Sequence, residues 1–366
     1  MITDPYSVLV VDDSAMMRNL VGRIVESDDR LRLAGTAMNG RFALQKIPTL
    51  DPDVIVLDLE MPEMNGIEFL QERRSRRIDI PVIVLSSVAT KGARITMDAL
   101  SLGASDFILK PSGSISTDIH VVADQLLELI ASLGAEYRRR RDRVPCTAEP
   151  PAGQRDTGVP GRPVAATRPA VHPGPIDLIA IGVSTGGPNA LRKMLALIPG
   201  DLPCPLVVVQ HMPPGFTTEF AASLDRVCQL TVREASDGDR LTPGYVYVAP
   251  GDHHVTVAWS THGGEVRLGR EPPRNGHRPS ADVLFSSVAG AYGKRAMGVI
   301  MTGMGRDGAK ELGAILRAGG ITVGQDERTS IVYGMPRVAC ELGHVERQVP
   351  LSEMAQTITR LAREHR

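Results

Sequence analysis

A break in composition divides the 366-residue chain into two parts that must fold separately. Residues 138–175 open with four consecutive arginines and contain eight Arg and eight Pro, and their only large aliphatic residues are four Val. Such a stretch cannot bury enough apolar surface to offset the entropy lost on ordering. We therefore predict a folded domain at 1–137, a flexible linker at 138–175 and a second domain at 176–366. The arginine run is either a solvated helix end or a site for an acidic partner, and we favour the helix end.

The rest of the composition is globular and argues against several classes of function. The 41 Lys and Arg balance 42 Asp and Glu, whereas a nucleic-acid-binding surface would be strongly basic. No apolar run approaches the roughly 18 residues that cross a bilayer. Four scattered cysteines without metal-ligand spacing are typical of reduced thiols. We expect a cytoplasmic monomer that neither enters the membrane nor binds nucleic acid.

Short apolar runs alternate with amphipathic helical segments in residues 1–137. The runs are rich in Val, Ile and Leu, and they are Ser7–Val11, Leu31–Ala37, Val54–Leu57, Val82–Leu85 and Phe107–Leu109. Strands that alternate with helices predict a parallel sheet covered on both faces, here a flavodoxin-like (βα)5 fold. Residues 176–366 alternate similarly but add a β excursion near 245–268. We expect a second α/β domain with a mixed, mainly parallel sheet.

Complementary polar residues follow the predicted strands of the first half. Asp12 and Asp13 follow the first strand, Asp58 the third, Ser86 the fourth and Lys110 the fifth. Close carboxylates repel one another, and a hard cation such as Mg²⁺ relieves that repulsion. With Mg²⁺ and Lys110 neutralising charge, a carboxylate oxygen of Asp58 could attack a phosphoryl group. Helix capping is the alternative role for these aspartates, but it does not explain complementary groups at four strand ends.

A glycine-rich turn, GVSTGGP at 182–188, follows the first predicted strand of the second half. Pro188 stands where a Walker A loop needs Lys, and the G-x-G-x-x-G of a dinucleotide fold is broken. The G-x-S-x-G pattern instead places Ser184 on a tight elbow. On this signal alone, a serine in a helix-capping turn is an equal alternative.

A base and an acid for Ser184 are expected at neighbouring strand ends. His211 follows the next predicted strand, and we prefer it as the base over His253 and His254 in the β excursion. Asp307 follows a later strand, where capping of its own helix is the competing role. The three strand-end groups Ser184, His211 and Asp307 would make a Ser-His-Asp triad.

Several sequence runs resemble known families. VVDDS, DLEMPEMNG, LSS and FILKP resemble a response-regulator receiver domain, whereas IGVSTGG, QHMPPGFT, VYVAPGDHH and MTGMGRDGA resemble the chemotaxis protein-glutamate methylesterase. The first resemblance implies phosphoryl transfer from a chemotaxis histidine kinase to Asp58. It also implies that Mg²⁺ binds Asp12, Asp13 and Asp58, that Lys110 contacts the phosphoryl group, and that Ser86 and Phe107 are the switch residues.

The second resemblance implies hydrolysis of glutamate γ-methyl esters on methyl-accepting chemoreceptors, with release of methanol, and deamidation of glutamines. It assigns Ser184 as the nucleophile, His211 as the base and Asp307 as the residue that orients the base. It adds the Met304 backbone N–H as an oxyanion donor and Thr185 as a neighbouring active-site residue. No cofactor is expected in the esterase site, which the unphosphorylated receiver should cover.

Two other functions compete with this interpretation. A response regulator with a DNA-binding output would need a small basic helix-turn-helix module, whereas residues 176–366 form a large domain with a β excursion. An adaptor with an inactive esterase fold would keep the receiver but not the chemistry. A hydrolysis assay on methylated receptor separates these alternatives.

Overall fold

The computed structural model describes residues 4–87, 90–110, 118–141, 174–261 and 263–365, which fold into two α/β domains in contact with each other. Most of the predicted linker, at 142–173, lies outside the described residues. No helix of the described part is long and apolar enough to cross a membrane.

The first domain is a five-stranded parallel sheet with a helix after each strand. The strand order is β2-β1-β3-β4-β5, which confirms the predicted flavodoxin-like (βα)5 fold. The strands are β1 Tyr6–Val11, β2 Leu31–Ala37, β3 Val54–Asp58, β4 Val82–Ser86 and β5 Asp106–Leu109. The helices are α1 Ala15–Glu26, α2 Gly40–Leu50, α3 Gly66–Ser75, α4 Thr90–Ser101 and α5 Asp118–Arg141.

The second domain is built on a seven-stranded sheet in the order β14-β13-β12-β6-β7-β9-β8. Its strands are β6 Leu178–Val183, β7 Leu206–Gln210, β8 Thr231–Glu234, β9 Tyr245–Val248, β12 Ala296–Ile300, β13 Ile321–Gln325 and β14 Arg347–Val349. Every pairing in this sheet is parallel. Antiparallel pairing occurs in a separate ribbon of β10 His254–Ser260 and β11 Gly263–Gly269, which is the later part of the predicted β excursion. The first part of that prediction was wrong, because Tyr245–Val248 is strand β9 of the parallel sheet.

The helices of the second domain connect these parallel strands. They are α6 Gly187–Leu195, α7 Phe216–Asp225, α8 Ala281–Tyr292, α9 Ala309–Arg317, α10 Met335–Glu341 and α11 Leu351–Glu364, with a short 3-10 turn at Gly293–Arg295. The prediction of a mainly parallel α/β sheet is confirmed, but the described sheet is not mixed, because the antiparallel pair forms a ribbon of its own.

The order of the strands fixes where each site lies. The central strand β6 pairs with β12 on one side and β7 on the other, and β1 pairs likewise with β2 and β3. Connections leave in opposite directions at such a switch point, so that a crevice opens beyond the carboxyl ends of the strands. The residues that follow β6, β7 and β12 therefore meet in one crevice, and those that follow β1 and β3 meet in another.

The arginine run forms the last turn of α5, so the helix extends four residues into the predicted linker. Arg138 is not simply solvated there. Its guanidinium donates to Asp53 at 2.6 Å and lies over the ring of Tyr6, 4.6 Å from the centroid. Arg139 and Arg140 are exposed. The run thus combines one anchoring residue with a solvated helix end.

Candidate active sites

Three carboxylates meet at the carboxyl edge of the first sheet. Asp12, Asp13 and Asp58 each offer an oxygen, and these oxygens lie within 4.8 Å of one another. The ammonium of Lys110 lies 2.8 Å from Asp58 Oδ2 and 3.0 Å from Asp12 Oδ2. The structure therefore brings together the four charged residues that the sequence placed at this edge.

The charges at this edge do not balance, because one ammonium faces three carboxylates. Asp58 is 3 % exposed, and its burial raises the pKa of its carboxyl even though Lys110 opposes the shift. A hard divalent cation would neutralise the excess negative charge, and Mg²⁺ prefers oxygen ligands such as these carboxylates. The three aspartates therefore fit the predicted Mg²⁺ site.

The two predicted switch residues point to different surroundings. The Ser86 hydroxyl is buried and lies 2.6 Å from the Thr96 hydroxyl. The Phe107 side chain contacts the second domain, where its ring stacks on Phe216 of α7. The ring centroids are 5.3 Å apart and the planes lie 8° from parallel. The sequence did not predict this contact, because it depends on how the two domains dock.

Ser184 lies directly after β6, on the turn that leads into α6. Gly186 has a φ of +77°, which a side chain would strain. A Cβ at Gly187 would lie 2.0 Å from the Gln210 side-chain oxygen. Gln210, which the sequence did not indicate, donates from its amide to the Ser184 carbonyl at 3.0 Å. The two glycines thus permit the tight elbow, and Gln210 ties it to β7.

The imidazole of His211 connects the other two predicted triad residues. Its Nδ1 lies 3.0 Å from Ser184 Oγ, and its Nε2 lies 2.8 Å from Asp307 Oδ2. An ionised carboxylate only accepts hydrogen bonds, so Nε2 carries the proton and Nδ1 is left to accept from the serine hydroxyl. In this tautomer His211 can take the serine proton.

Asp307 is held by donors from several directions. Its oxygens accept from the Ser280 hydroxyl at 2.7 Å, the Asn275 amide at 2.9 Å and the Ala281 backbone N–H at 2.6 Å, as well as from His211. Burial alone would raise its pKa, but these hydrogen bonds hold the pKa of Asp307 well below its usual range. Asp307 does not cap the helix that follows it; it caps α8, whose first residue is Ala281.

His277 is a second imidazole in this site that the sequence analysis missed. Its ring stacks on that of His211, with centroids 3.8 Å apart and planes 9° from parallel. Burial lowers the pKa of His277 to about 4, and the neighbouring His211 adds to the shift. His277 is therefore neutral near pH 7, and it confines the face of the His211 ring. Its position in a loop rather than at a strand end gave no signal in the sequence.

The rival histidines have other contacts. His253 lies near the Gly251 carbonyl at 3.2 Å and accepts from Arg270, and His254 lies 3.2 Å from the Pro272 carbonyl. Neither contacts Ser184 within the described residues.

The loop after β12 lies close enough to Ser184 for a backbone N–H to donate to an oxyanion. A Cβ at Gly303 would lie 2.9 Å from the Ser184 Cβ, so that only glycine fits there. The next residue, Met304, has a backbone N–H without an acceptor among the described residues. The Thr185 side chain lines the same cavity as Ser184, and its carbonyl accepts from the Thr302 hydroxyl at 2.9 Å.

The first domain covers this crevice. A cavity of about 350 Å³ over Ser184 and His211 is lined on its other side by Phe107, Gln125 and Leu129 of the first domain. Ser184 is 9 % exposed in this arrangement.

Hydrogen bonds hold the two domains together beside the elbow. The Asn189 amide donates to the Ala104 and Ser105 carbonyls at 2.7 and 2.6 Å, and the Gly186 N–H donates to Asp106 at 2.6 Å. Burial raises the pKa of Asp106 to about 6, and the backbone N–H groups only partly oppose it. The docked form therefore favours the protonated carboxyl, so this contribution to docking is lost as the pH rises through about 6.

Comparisons with known proteins agree with this architecture. Residues 8–119 match the response regulator receiver domain, and residues 179–358 match the CheB methylesterase. A Treponema denticola protein named protein-glutamate methylesterase/protein-glutamine glutaminase is 50% identical over 98% of each chain. The chain belongs to this family of receiver-linked methylesterases. A Treponema pallidum protein of the same name is 47% identical over 98% of this methylesterase and 97% of its own length.

A solved structure resembles the second domain of the methylesterase. The CheB methylesterase catalytic domain of Thermotoga maritima is 37% identical with a TM-score of 0.50, and it covers 51% of this chain and 98% of its own. Family membership and fold are thus confirmed, whereas the roles assigned to individual residues of this methylesterase stay predictions.

Proposed function

We propose that this chain hydrolyses glutamate γ-methyl esters on chemoreceptors, with Ser184 as the nucleophile. The observation that carries the proposal is the hydrogen-bonded series from Ser184 Oγ through both nitrogens of His211 to Asp307, at 3.0 and 2.8 Å. The name of the Treponema denticola relative supports the same reaction. Chemoreceptor substrates would place the enzyme in the cytoplasm.

The reaction proceeds in two halves. Ser184 Oγ attacks the ester carbonyl while His211 Nδ1 takes its proton, and the imidazolium that forms is stabilised by Asp307. The Met304 N–H donates to the oxyanion. When the tetrahedral intermediate collapses, the C–O bond to methoxide breaks and His211 returns the proton, which releases methanol. A water molecule, activated by His211, then hydrolyses the acyl-enzyme and leaves a glutamate.

The same steps act on a glutamine side chain. Ammonia then replaces methanol as the leaving group, and His211 protonates it in the same way. The double name of the Treponema denticola relative supports this second activity. Both reactions convert a neutral side chain into a carboxylate.

A chemotaxis histidine kinase would supply the phosphoryl group to Asp58. Asp12, Asp13 and Asp58 would hold Mg²⁺, which supplies positive charge beside the phosphoryl oxygens when bound. Lys110, 2.8 Å from Asp58, would contact the same group. Phosphorylation would then move Phe107, which stacks on Phe216, and loosen the contact that covers Ser184.

The decisive test of the function uses a chemoreceptor fragment carrying radiolabelled methyl esters. Labelled methanol should be released by the unphosphorylated enzyme slowly and by the phosphorylated enzyme faster. An adaptor with an inactive esterase fold would release none under either condition.

Phosphorylation itself should depend on one carboxylate. Asp58→Asn keeps the shape of the side chain but removes the nucleophilic oxygen, so that phosphoryl incorporation from acetyl phosphate with Mg²⁺ should fall below detection. Asp29→Asn, at an exposed position, is the matched control and should incorporate phosphate normally. Stoichiometric labelling of the Asp58→Asn protein would show that another residue accepts the phosphoryl group.

His277 should act as a positioning residue for the base. His277→Ala removes the ring that confines His211, and we expect kcat to fall about 10- to 100-fold with little change in KM. His277→Phe retains a flat ring and should restore most of kcat. Equal losses in both variants would contradict a role in stacking.

A further inference from the structure

A groove in the second domain lies beside the triad, and Asn275, whose amide donates to Asp307, also lines it. It has a volume of about 550 Å³ and lies between the loop that carries Arg274, the start of α9 and the end of α10. Its floor includes Ala309 and Val338, and Leu342 is 51 % exposed at its edge. The groove therefore combines an apolar floor with an exposed leucine at its edge.

Cations surround the apolar floor of this groove. Arg306 is exposed and has no ion-pair partner in the described part of the chain. Arg274 and Lys310 share a single carboxylate, that of Glu311, at 3.5 and 3.8 Å. Asp282 also lines the groove but is only 3 % exposed, and the three cations still outnumber its carboxylate and that of Glu311. The surface of the groove therefore carries more positive than negative charge.

A single tight turn separates the groove from the catalytic cavity. Arg274 and His277 are joined by two backbone hydrogen bonds, of 3.0 and 2.9 Å. On one side of this turn Arg274 lines the groove, and on the other side His277 stacks on His211. A ligand in the groove is thus adjacent to the site where Ser184 reacts.

The described residues of the receiver domain do not occupy this groove. Its described residues cover the cavity over Ser184, where Phe107 and Leu129 contribute to the lining, but none of them lines the groove. Within the described part of the chain, the groove is therefore open while the active site is covered.

We propose that this groove binds the acidic, amphipathic helix that presents the esterified glutamate. The proposal rests on the function proposed above, because each turnover leaves a carboxylate on the substrate, and a carboxylate is complementary to the cations of the groove. Its apolar residues would contact Val338 and Leu342, and its carboxylates would face Arg274, Arg306 and Lys310. Complementary charge of this kind accelerates encounter and selects the partner. The substrate helix would dock before the receiver moves away.

Comparison of a large and a small substrate distinguishes an effect on binding in the groove from an effect on the reaction at Ser184. The double variant Arg306→Glu/Lys310→Glu should lower kcat/KM for a γ-methyl-esterified chemoreceptor fragment about 10-fold at low salt, and the loss should shrink at high salt. The γ-methyl ester of N-acetylglutamate amide is too small to reach the groove, so its hydrolysis should change less than about twofold. Leu342→Ser should weaken only the reaction with the fragment, and this loss should not depend on salt.

The matched control is Arg317→Glu, since Arg317 is an exposed cation at the other end of α9. It should react with both substrates like the wild type. Binding of the unesterified fragment, followed by fluorescence anisotropy, should weaken about 10-fold in the double variant and tests the groove even if no methanol is released. Absence of methanol with the wild type would refute the proposed function. Unchanged binding by the double variant, or equal losses with the two esters, would refute the groove.

Discussion

Replacing Ser184 with alanine should lower methanol release from methylated chemoreceptor by about 10³-fold or more. The variant lacks the oxygen that attacks the ester, and only binding and oxyanion stabilisation are left to accelerate the reaction. The fold should persist, because the hydroxyl makes a hydrogen bond worth only about 1 kcal/mol. Initial rates with the same labelled receptor measure the loss, and circular dichroism checks the fold.

The control for this experiment is Ser287→Ala. Ser287 is a hydroxyl of α8 that bonds the backbone, accepting from Val257 and donating to Leu284, and it contacts none of the triad residues. Its loss should leave the rate within about twofold of wild type. If Ser184→Ala retains a rate within tenfold of wild type, Ser184 is not the nucleophile.

Removing the receiver should activate the second domain without any phosphoryl donor. A fragment that begins at Pro175 exposes the cavity over Ser184, and we expect its rate to exceed that of the unphosphorylated full chain at least about 10-fold, since a few kcal/mol separate mostly covered from mostly open. The solved Thermotoga maritima catalytic domain supports folding of this fragment. The two rates are compared at equal protein concentration with the labelled receptor.

A substitution in the contact between the domains tests inhibition by coverage in the intact chain. Asn189→Ala removes two hydrogen bonds to receiver carbonyls and leaves those carbonyls unpaired when the domains dock. The unphosphorylated rate should rise several-fold, whereas Asn19→Ala, at an exposed position of α1, should change nothing. A fragment no faster than the full chain would mean that the receiver activates by a positive contact instead of inhibiting by coverage.

The sequence predicted the strands that are buried on both faces and the residues at their ends. Val54–Leu57, for example, is a continuous apolar run that becomes part of a strand buried throughout. Helix α8 was not predicted, because it is apolar on most of its circumference and serine and glycine interrupt any clear period. Strand β14 has three residues, two of them polar, and gave no strand signal.

Contacts between distant segments account for what the sequence did not predict at the active site. Capping was considered for Asp307, but only toward its own helix, whereas the fold brings it to the start of α8, 26 residues earlier in the chain. His277 and Gln210 are placed by packing against His211 and the Ser184 elbow. No periodicity along the chain encodes such contacts.

The stacking of Phe107 on Phe216 couples phosphorylation of Asp58 to exposure of the active site, because both depend on the same equilibrium between docked and separated domains. If phosphorylated Asp58 disfavours this stack, then any ligand that separates the domains must favour phosphorylation of Asp58 to the same extent. A receptor helix that holds the crevice open would therefore raise the affinity of the receiver for its phosphoryl group. The substrate would in this way favour the phosphorylated form of the enzyme that acts on it.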